Sequence, residues 1–390
     1  MLKELNNRIL LCDGAMGSSI HAMGVSVEVP ETLLTSNPSI IETIHKGYLE
    51  AGSDIIETNT FGANKIVLEA HGLEKDSYDL NYLGAVLARK CADEFSTNKK
   101  PRFVAGSIGP GSKLPSLGQI TFKKLRDAYF ESAEALIKGG VDCFIIETCQ
   151  DILQAKSAII AVKEQMKECN VKLPIFVQVT LEANGAMLLG SDIACVCSTF
   201  SNIGIDSLGI NCATGPAQMK KHIEYCHNNW PGLISIQPNA GMPIMRNDRA
   251  VYEVSPQDFA DQVIDIAKDY RVNIIGGCCG TTKEHIKAVS CRLHEIKKKD
   301  PVCKSMSASF SSLYNSVAVK QEASIFYIGE RLNATGSKAF RELLNSDDWD
   351  SILVLAKSQV SHGAHMLDIS VSVTGRNERE DMGNLVTRLV

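Results

Sequence analysis

The sequence has no apolar run of the roughly 18 residues that a membrane-spanning helix needs. Its opening carries Lys3, Glu4, Asn6 and Asn7 and leads straight into a folded-looking segment, so no secretory signal is visible. Neither sign of charge dominates: 40 Lys and Arg face 45 Asp and Glu, for a net charge of −5. That balance gives no reason to expect nucleic acid or an anionic membrane as the main partner. There is no CxxC pair, no Walker lysine and no G-x-G-x-x-G stretch. Aromatic residues are scarce at 6%, yet 44% of the chain is hydrophobic and 22% charged, enough apolar material for a large core. Disorder, a collagen-like chain and a small disulfide scaffold are excluded.

What is present is cysteine, glycine and a repeating pattern. Thirteen cysteines, an odd number in a 390-residue chain, fit a reducing cytoplasm where thiols serve as core residues, ligands or catalysts. Short apolar runs recur at Arg8–Cys12, Asp54–Glu57, Arg102–Ala105, Cys143–Glu147, Pro174–Thr180, Ser207–Asn211, Leu233–Gln237 and Val272–Ile275. Such runs suit parallel strands covered on both faces. Helical spacing separates most of them, as at Ile40, Ile41, Ile44, Tyr48 and Leu49 behind the Asn37-Pro38 start and ahead of Gly52. Gly52-Ser53-Asp54, Gly140-Val141-Asp142 and Gly204-Ile205-Asp206 form a weak internal repeat, a left-handed glycine followed by an aspartate that begins a strand. Eight strands alternating with helices over about 290 residues predict an α/β fold, a (β/α)₈ TIM barrel.

A break follows at Lys297-Lys298-Lys299-Asp300-Pro301 and the serine-rich Ser305–Ser316. The expected organisation is a barrel over 1–298, a linker over 299–322 and a second α/β piece over 323–390. That piece reads as strand Ser324–Ile328, helices near Ser337–Leu344 and Trp349–His362, and strand Met366–Val371. Two strands cannot close a barrel, so it is expected to be the first, incomplete part of a second α/β barrel and the chain a fragment of something longer.

In a (β/α)₈ barrel the reacting groups stand at the C-terminal ends of the strands. Here those ends carry Cys12-Asp13-Gly14, Glu57-Thr58-Asn59-Thr60-Phe61, Gly106-Ser107-Ile108-Gly109-Pro110 and Glu147-Thr148-Cys149. Later ends carry Asn211-Cys212, Gln237-Pro238-Asn239 and Gly276-Gly277-Cys278-Cys279-Gly280-Thr281-Thr282. Cys212, Cys278 and Cys279 can supply three thiolates to one Zn²⁺ and leave its fourth position open, as in a catalytic site. Spacing alone is weak, since Cys278 comes 66 positions after Cys212, and a vicinal disulfide is the rival for Cys278-Cys279. Cys12, Cys91, Cys143, Cys169, Cys226, Cys291 and Cys303, and the Cys195-Val196-Cys197 pair, read as core thiols. Thr281 and Glu284 read as a capping box for the last helix. A metal with three thiolates is a poor Lewis acid for making hydroxide but suits a substrate sulfur, which it would hold deprotonated.

These strand-end motifs, taken in order over about residues 5–295, resemble the homocysteine S-methyltransferase domain. The resemblance implies zinc held by Cys212, Cys278 and Cys279, which would also be the catalytic set that binds homocysteine sulfur. It implies that Asp13 and Glu147 hold the substrate ammonium, and that Thr60, Phe61 and Ser107 line the substrate site. Asn239 matches the position that fills the open metal site before substrate arrives. Further on, Gly329-Glu330-Arg331-Leu332-Asn333-Ala334-Thr335-Gly336 and Leu367-Asp368-Ile369-Ser370 are similar to the start of the pterin-binding barrel of cobalamin-dependent methionine synthases. There Asn333 and Asp368 match pterin-contacting positions, although Ser370-Val371-Ser372 departs from the usual continuation.

The resemblance thus implies methyl transfer to homocysteine to form methionine in the cytoplasm. Methylcobalamin, recharged from methyltetrahydrofolate, would be the donor, supplied by a cobalamin-binding module in cis or trans. Three alternatives stay open: a stand-alone enzyme using S-methylmethionine or betaine, a corrinoid-system protein for another thiol, and a purely structural zinc.

Overall fold

The computed structural model describes residues 1–246, 249–322 and 325–389. The chain falls into two compact units, Met1–Met306 with Ser311–Ser316, and Ser307–Phe310 with Val317–Val390. In the first unit strands and helices alternate: β1 (Leu10–Leu11), α1 (Pro38–Ala51), β2 (Ile55–Glu57), α2 (Ser77–Phe95), β3 (Phe103–Ile108) and α3 (Phe122–Gly139). They continue as β4 (Cys143–Cys149), α4 (Ile152–Glu168), β5 (Ile175–Val179), α5 (Ile193–Phe200), β6 (Ser207–Asn211) and α6 (Pro216–Asn229). The series ends with β7 (Leu233–Gln237), α7 (Pro256–Asp269), β8 (Ile274–Ile275) and α8 (Lys283–Arg292). All eight strands lie in one sheet in the order β1-β8-β7-β6-β5-β4-β3-β2. Recorded pairings are parallel throughout. The fold is the (β/α)₈ barrel that the repeating pattern predicts.

Strand alternation builds two cores from one sheet. Phe103, Ala105, Cys143, Ile145 and Phe176 point inward and pack with Leu10, Ile55 and Ile274, and Leu5 of the N-terminal helix joins them. Their neighbours Val104, Phe144, Ile146 and Val177 point outward into the layer shared with the helices. Each large side chain buried in this way contributes about 1.5–3 kcal/mol.

The weak repeat proves to be a sealing device. Asp54 Oδ2 accepts from Leu11 N at 3.0 Å, Asp142 Oδ2 from Val104 N at 2.8 Å, and Asp206 Oδ2 from Ile175 N at 2.9 Å. Asn273 Oδ1 does the same for Ile234 N at 3.0 Å, a fourth member that lacks the preceding glycine. Each of the four also donates its own N–H to the neighbouring strand, at 2.7–2.9 Å. Every even strand is thereby locked to the odd strand before it. Asp54 matters most, since its two bonds to Leu11 join β1 to β2 at the two ends of the strand order. Gly52 and Gly140 end their helices in the left-handed region, at φ 118° and 91°.

Three local expectations change. The helix after β8 is capped by Thr282, whose N–H donates to His285 Nδ1 at 3.2 Å, and not by a Thr281–Glu284 box. Thr281 is needed elsewhere: its Oγ1 donates to Cys278 O at 2.7 Å and accepts from Ala15 N at 3.2 Å. The stretch expected to be linker holds two short strands, Ser309–Ser311 and Ser316–Ala318. The strand expected at Ser324–Ile328, β9, is Ile328–Asn333 instead, and Ser324 lies outside the described residues.

In the second unit β9 pairs in parallel with β10 (Met366–Ser370). Helices α9 (Lys338–Asn345), α10 (Trp349–Ser361) and the unforeseen α11 (Glu378–Leu389) accompany them. Ser337 caps α9 through Phe340 N, and Asp348 caps α10 through Ser351 N. Phe340, Leu344, Ile352, Ala356 and Leu385 form a separate small core. No described helix is long and apolar enough to cross a membrane.

Candidate active site

The strand ends of the first unit surround a cavity of about 410 Å³. Its wall includes Asp13, Phe61, Ser107 and Glu147, together with Cys212, Cys278 and Cys279. The three thiols come from the ends of two strands that are far apart in sequence. Cys212 follows β6 with φ at 60°, and Ala213 follows at 55°. Two successive non-glycine residues in the left-handed region are costly and uncommon, and such strain concentrates at functional sites. Cys278 and Cys279 follow β8 on a loop that hangs from its neighbours: Cys278 N donates to Pro238 O at 2.8 Å, and Ala240 N donates to Cys279 O at 2.9 Å. The glycines of that loop have no room for a side chain. A Cβ on Gly276 would stand 2.6 Å from Cys12 Cβ and 2.9 Å from Gln237 Cγ.

The three sulfurs lie within 4.8 Å of one another, and Cys212 Sγ and Cys279 Sγ are 3.8 Å apart. Tetrahedral zinc with Zn–S bonds of about 2.3 Å separates two thiolate sulfurs by about 3.8 Å. The donor set therefore fits zinc. Without a cation the thiols contend for protons. Hydrogen bonds from Cys212 and Cys278 hold Cys279 below the ordinary thiol range, while its two neighbours and burial push Cys278 well up. Asn239 is tied through its backbone to the Cys212 loop, since its N–H donates to Thr214 O at 3.0 Å and Thr214 N in turn donates to Cys212 O, but it is not among the residues that line the cavity. Its buried Oδ1 has no hydrogen-bond partner. All thirteen cysteines are free, so no vicinal disulfide joins Cys278 to Cys279.

Carboxyl groups line the same cavity. Glu147 accepts from Ser107 Oγ at 2.6 Å and from Asn211 Nδ2 at 3.2 Å. Asn211 also holds Thr148 through two bonds, which steadies a β-branched residue at φ 55°. Asp13 Oδ2 accepts from Glu57 N at 3.0 Å, while its buried Oδ1 is without a partner. Glu57 Oε1 accepts from Gln237 Nε2 at 2.8 Å. Burial, reinforced by mutual repulsion, pushes Glu57 up to about 8 and raises Asp13 and Glu147 well above the carboxylate range. No lysine or arginine is among the described residues that line the cavity. It is therefore a recess of acidic side chains with no lysine or arginine to pair them, lined also by His71.

Of the residues singled out in the sequence, Asp13, Glu147, Ser107, Phe61 and the three cysteines meet on one wall. Thr60 lies behind it: its Oγ1 donates to Ser107 O at 2.7 Å and contacts Thr58 Oγ1 at 2.6 Å. Sequence reasoning passed over Glu57, Asn211 and Gln237, although all three end predicted strands. In the second unit Asn333 Nδ2 donates to Asp368 Oδ2 at 2.9 Å, so those two side chains also come together on neighbouring strands.

Residues 10–293, close to three quarters of the chain, match the profile of the homocysteine S-methyltransferase family. The chain belongs to the homocysteine S-methyltransferase family. Residues 329–390 match the pterin-binding enzyme family. Over its whole length the chain is 39% identical to a methionine synthase of Mycobacterium tuberculosis, of which it covers 33%. It is 38% identical to one of Mycobacterium leprae, again covering 33%. The chain thus spans about a third of the length of these curated relatives. A homocysteine methyltransferase of Escherichia coli, solved in a metallated form, superposes with a TM-score of 0.61 at 24% identity. That match covers 74% of this chain and 98% of the other, and it shows that the two share the barrel fold.

Proposed function

We propose that this family member methylates the sulfur of homocysteine to give methionine, with Cys212, Cys278 and Cys279 holding zinc. The observation that carries the reading is the pairing of two unlike subsites in one cavity: three thiols at zinc spacing, and buried carboxyls with no lysine or arginine to pair them. Homocysteine supplies both complements, a thiol and an ammonium group. Zinc, when bound, keeps the substrate sulfur deprotonated at neutral pH, where a free thiol is only about 3% thiolate. Asp13 and Glu147 receive the ammonium, and Ser107 and Asn211 fix Glu147 for that contact. Asn239, with its unpartnered Oδ1, occupies the thiol subsite until substrate replaces it. Phe61, 43% exposed at the rim, shields the reacting sulfur from water. Orientation of the sulfur for in-line attack on a methyl group supplies much of the rate.

The methyl donor in this reading is methylcobalamin, presented by a cobalamin-binding module in cis or trans and recharged from methyltetrahydrofolate. The pterin-binding match and the methionine synthase relatives support that donor. Residues 1–298 form the homocysteine barrel, 299–322 the linker and 323–390 the start of a pterin-binding barrel, in which Asn333 and Asp368 meet the pterin edge. A cytoplasmic setting suits thirteen free thiols. The test offers the zinc-loaded chain L-homocysteine with methylcobalamin, S-methylmethionine or betaine in turn and measures methionine. Methionine from methylcobalamin alone is expected. Turnover with S-methylmethionine or betaine but none with methylcobalamin would contradict the assignment of the donor.

A further inference from the structure

Two of the thiols and one of the carboxyls stand on neighbouring loops that are joined behind the cavity wall. The pairing of β1 with β8 stops at Leu11 and Ile275, short of Asp13 and of Cys278 and Cys279. Side-chain and backbone bonds carry the register onward. Gly277 N donates to Asp13 O at 3.0 Å, Ala15 N to Thr281 Oγ1 at 3.2 Å, and Gly280 N to Ser18 Oγ at 3.0 Å. Thr281 Oγ1 donates in turn to Cys278 O at 2.7 Å. Tyr48 closes the joint from α1: its hydroxyl donates to Ala15 O at 2.8 Å, with Thr281 O a second acceptor at 3.2 Å. The joint is tight, because a Cβ on Gly14 would stand 2.8 Å from Thr281 Oγ1 and 2.9 Å from Tyr48 Cε1. Tyr48 and Thr281 are buried, and neither lines the cavity. The other carboxyl is tied separately: Asn211, the neighbour of Cys212 in sequence, donates to Glu147 Oε2 at 3.2 Å.

We propose that Tyr48 and Thr281 are positioning residues that fix the separation between the Cys278-Cys279 thiols and Asp13, so that the cavity measures the length of its amino-acid thiol and favours homocysteine over cysteine. The inference rests on the reading of this cavity as a homocysteine site. Cysteine carries the same thiol and ammonium with one methylene fewer between them. A methylene missing from an apolar pocket changes affinity only about 10–200-fold. With a polar partner required at each end, the shorter chain satisfies one end and leaves the other unpaired, which discriminates further. Such a ruler works only while its two ends keep their distance. The bonds of Tyr48 and Thr281 run between the loops that carry those ends, and they touch neither substrate nor thiol.

The zinc-loaded chain is titrated calorimetrically with L-cysteine, L-homocysteine and the next longer homologue, 2-amino-5-mercaptopentanoate. Homocysteine is expected to bind tightest, with both the shorter and the longer chain weaker. Tyr48→Phe keeps the ring and removes the hydroxyl, Thr281→Val removes a hydroxyl at nearly constant shape, and Thr281→Ser restores it. In the first two variants the preference for homocysteine over cysteine should fall roughly tenfold, with zinc still at one per chain. Thr281→Ser should regain most of that preference. A role confined to stability would lower the urea midpoint and leave the preference unchanged, and that result would overturn the proposal. So would tighter binding of the longer homologue by the unaltered protein, a comparison that needs no variant to fold. No binding of homocysteine by the unaltered, zinc-loaded protein would instead remove the functional reading beneath it.

Discussion

Ser107 offers the cleanest test of how single residues set the site. Its hydroxyl donates to Glu147 at 2.6 Å, and both groups are buried. A hydrogen bond to a charged group is worth about 1.5–3 kcal/mol, so losing it should loosen a carboxylate without touching the thiols. Ser107→Ala is expected to raise KM for homocysteine roughly tenfold or more while kcat changes little, with zinc still bound at one per chain. Metal analysis beside steady-state kinetics checks this, and loss of zinc in the variant would contradict it. The three cysteines could be singled out in the sequence because they stand beside glycines at strand ends, whereas Asp13 and Glu147 were singled out through the family resemblance. Glu57, Asn211 and Gln237 stand at strand ends as well, yet nothing in the local pattern says which terminal side chain turns into the mouth. That depends on barrel register: Asn211 is level with Gln237 across β6 and β7, and only the closed sheet makes the pair visible.

At the level of strands and helices, the repeated aspartate carries more than its role as a strand start. Asp206 takes the N–H of Ile175 through its side chain and donates its own N–H to Ile175 O, joining β5 to β6 at the end away from the cavity. Asp206→Ala leaves a backbone N–H unpaired and should cost about 1–3 kcal/mol, read as a lower urea midpoint. Asp206→Asn keeps an acceptor and should restore most of the loss, and neither variant should change KM. A shift in KM of the size expected for Ser107→Ala would mean that this end of the barrel is coupled to the site. Eight strands were readable as apolar runs because both faces of each are covered. Asn273 escaped notice because its helix does not close on the Gly-x-Asp pattern. β9 was misplaced for a physical reason: it carries Glu330, Arg331 and Asn333 and is half exposed, so its apolarity does not mark it. The apolar stretch before it, with Ile325 67% and Tyr327 53% exposed, is coil.

For the whole molecule, two compact units with separate cores correspond to two family matches, 10–293 and 329–390. The first contains an eight-stranded parallel barrel sheet and a cavity lined by three thiols and buried carboxyl groups. The second contains two paired strands whose Asn333 and Asp368 are already joined. The central claim is that the cavity binds homocysteine through its sulfur as well as its ammonium, and one spectroscopic titration addresses it directly. Cobalt would be placed in the three-cysteine site and L-homocysteine added stepwise while the thiolate-to-metal absorption is followed. The account predicts bands that intensify to a one-to-one endpoint and disappear in Cys212→Ser and Cys279→Ser. One bound cobalt whose spectrum homocysteine leaves unchanged would contradict it, and the three thiols would then hold a structural metal.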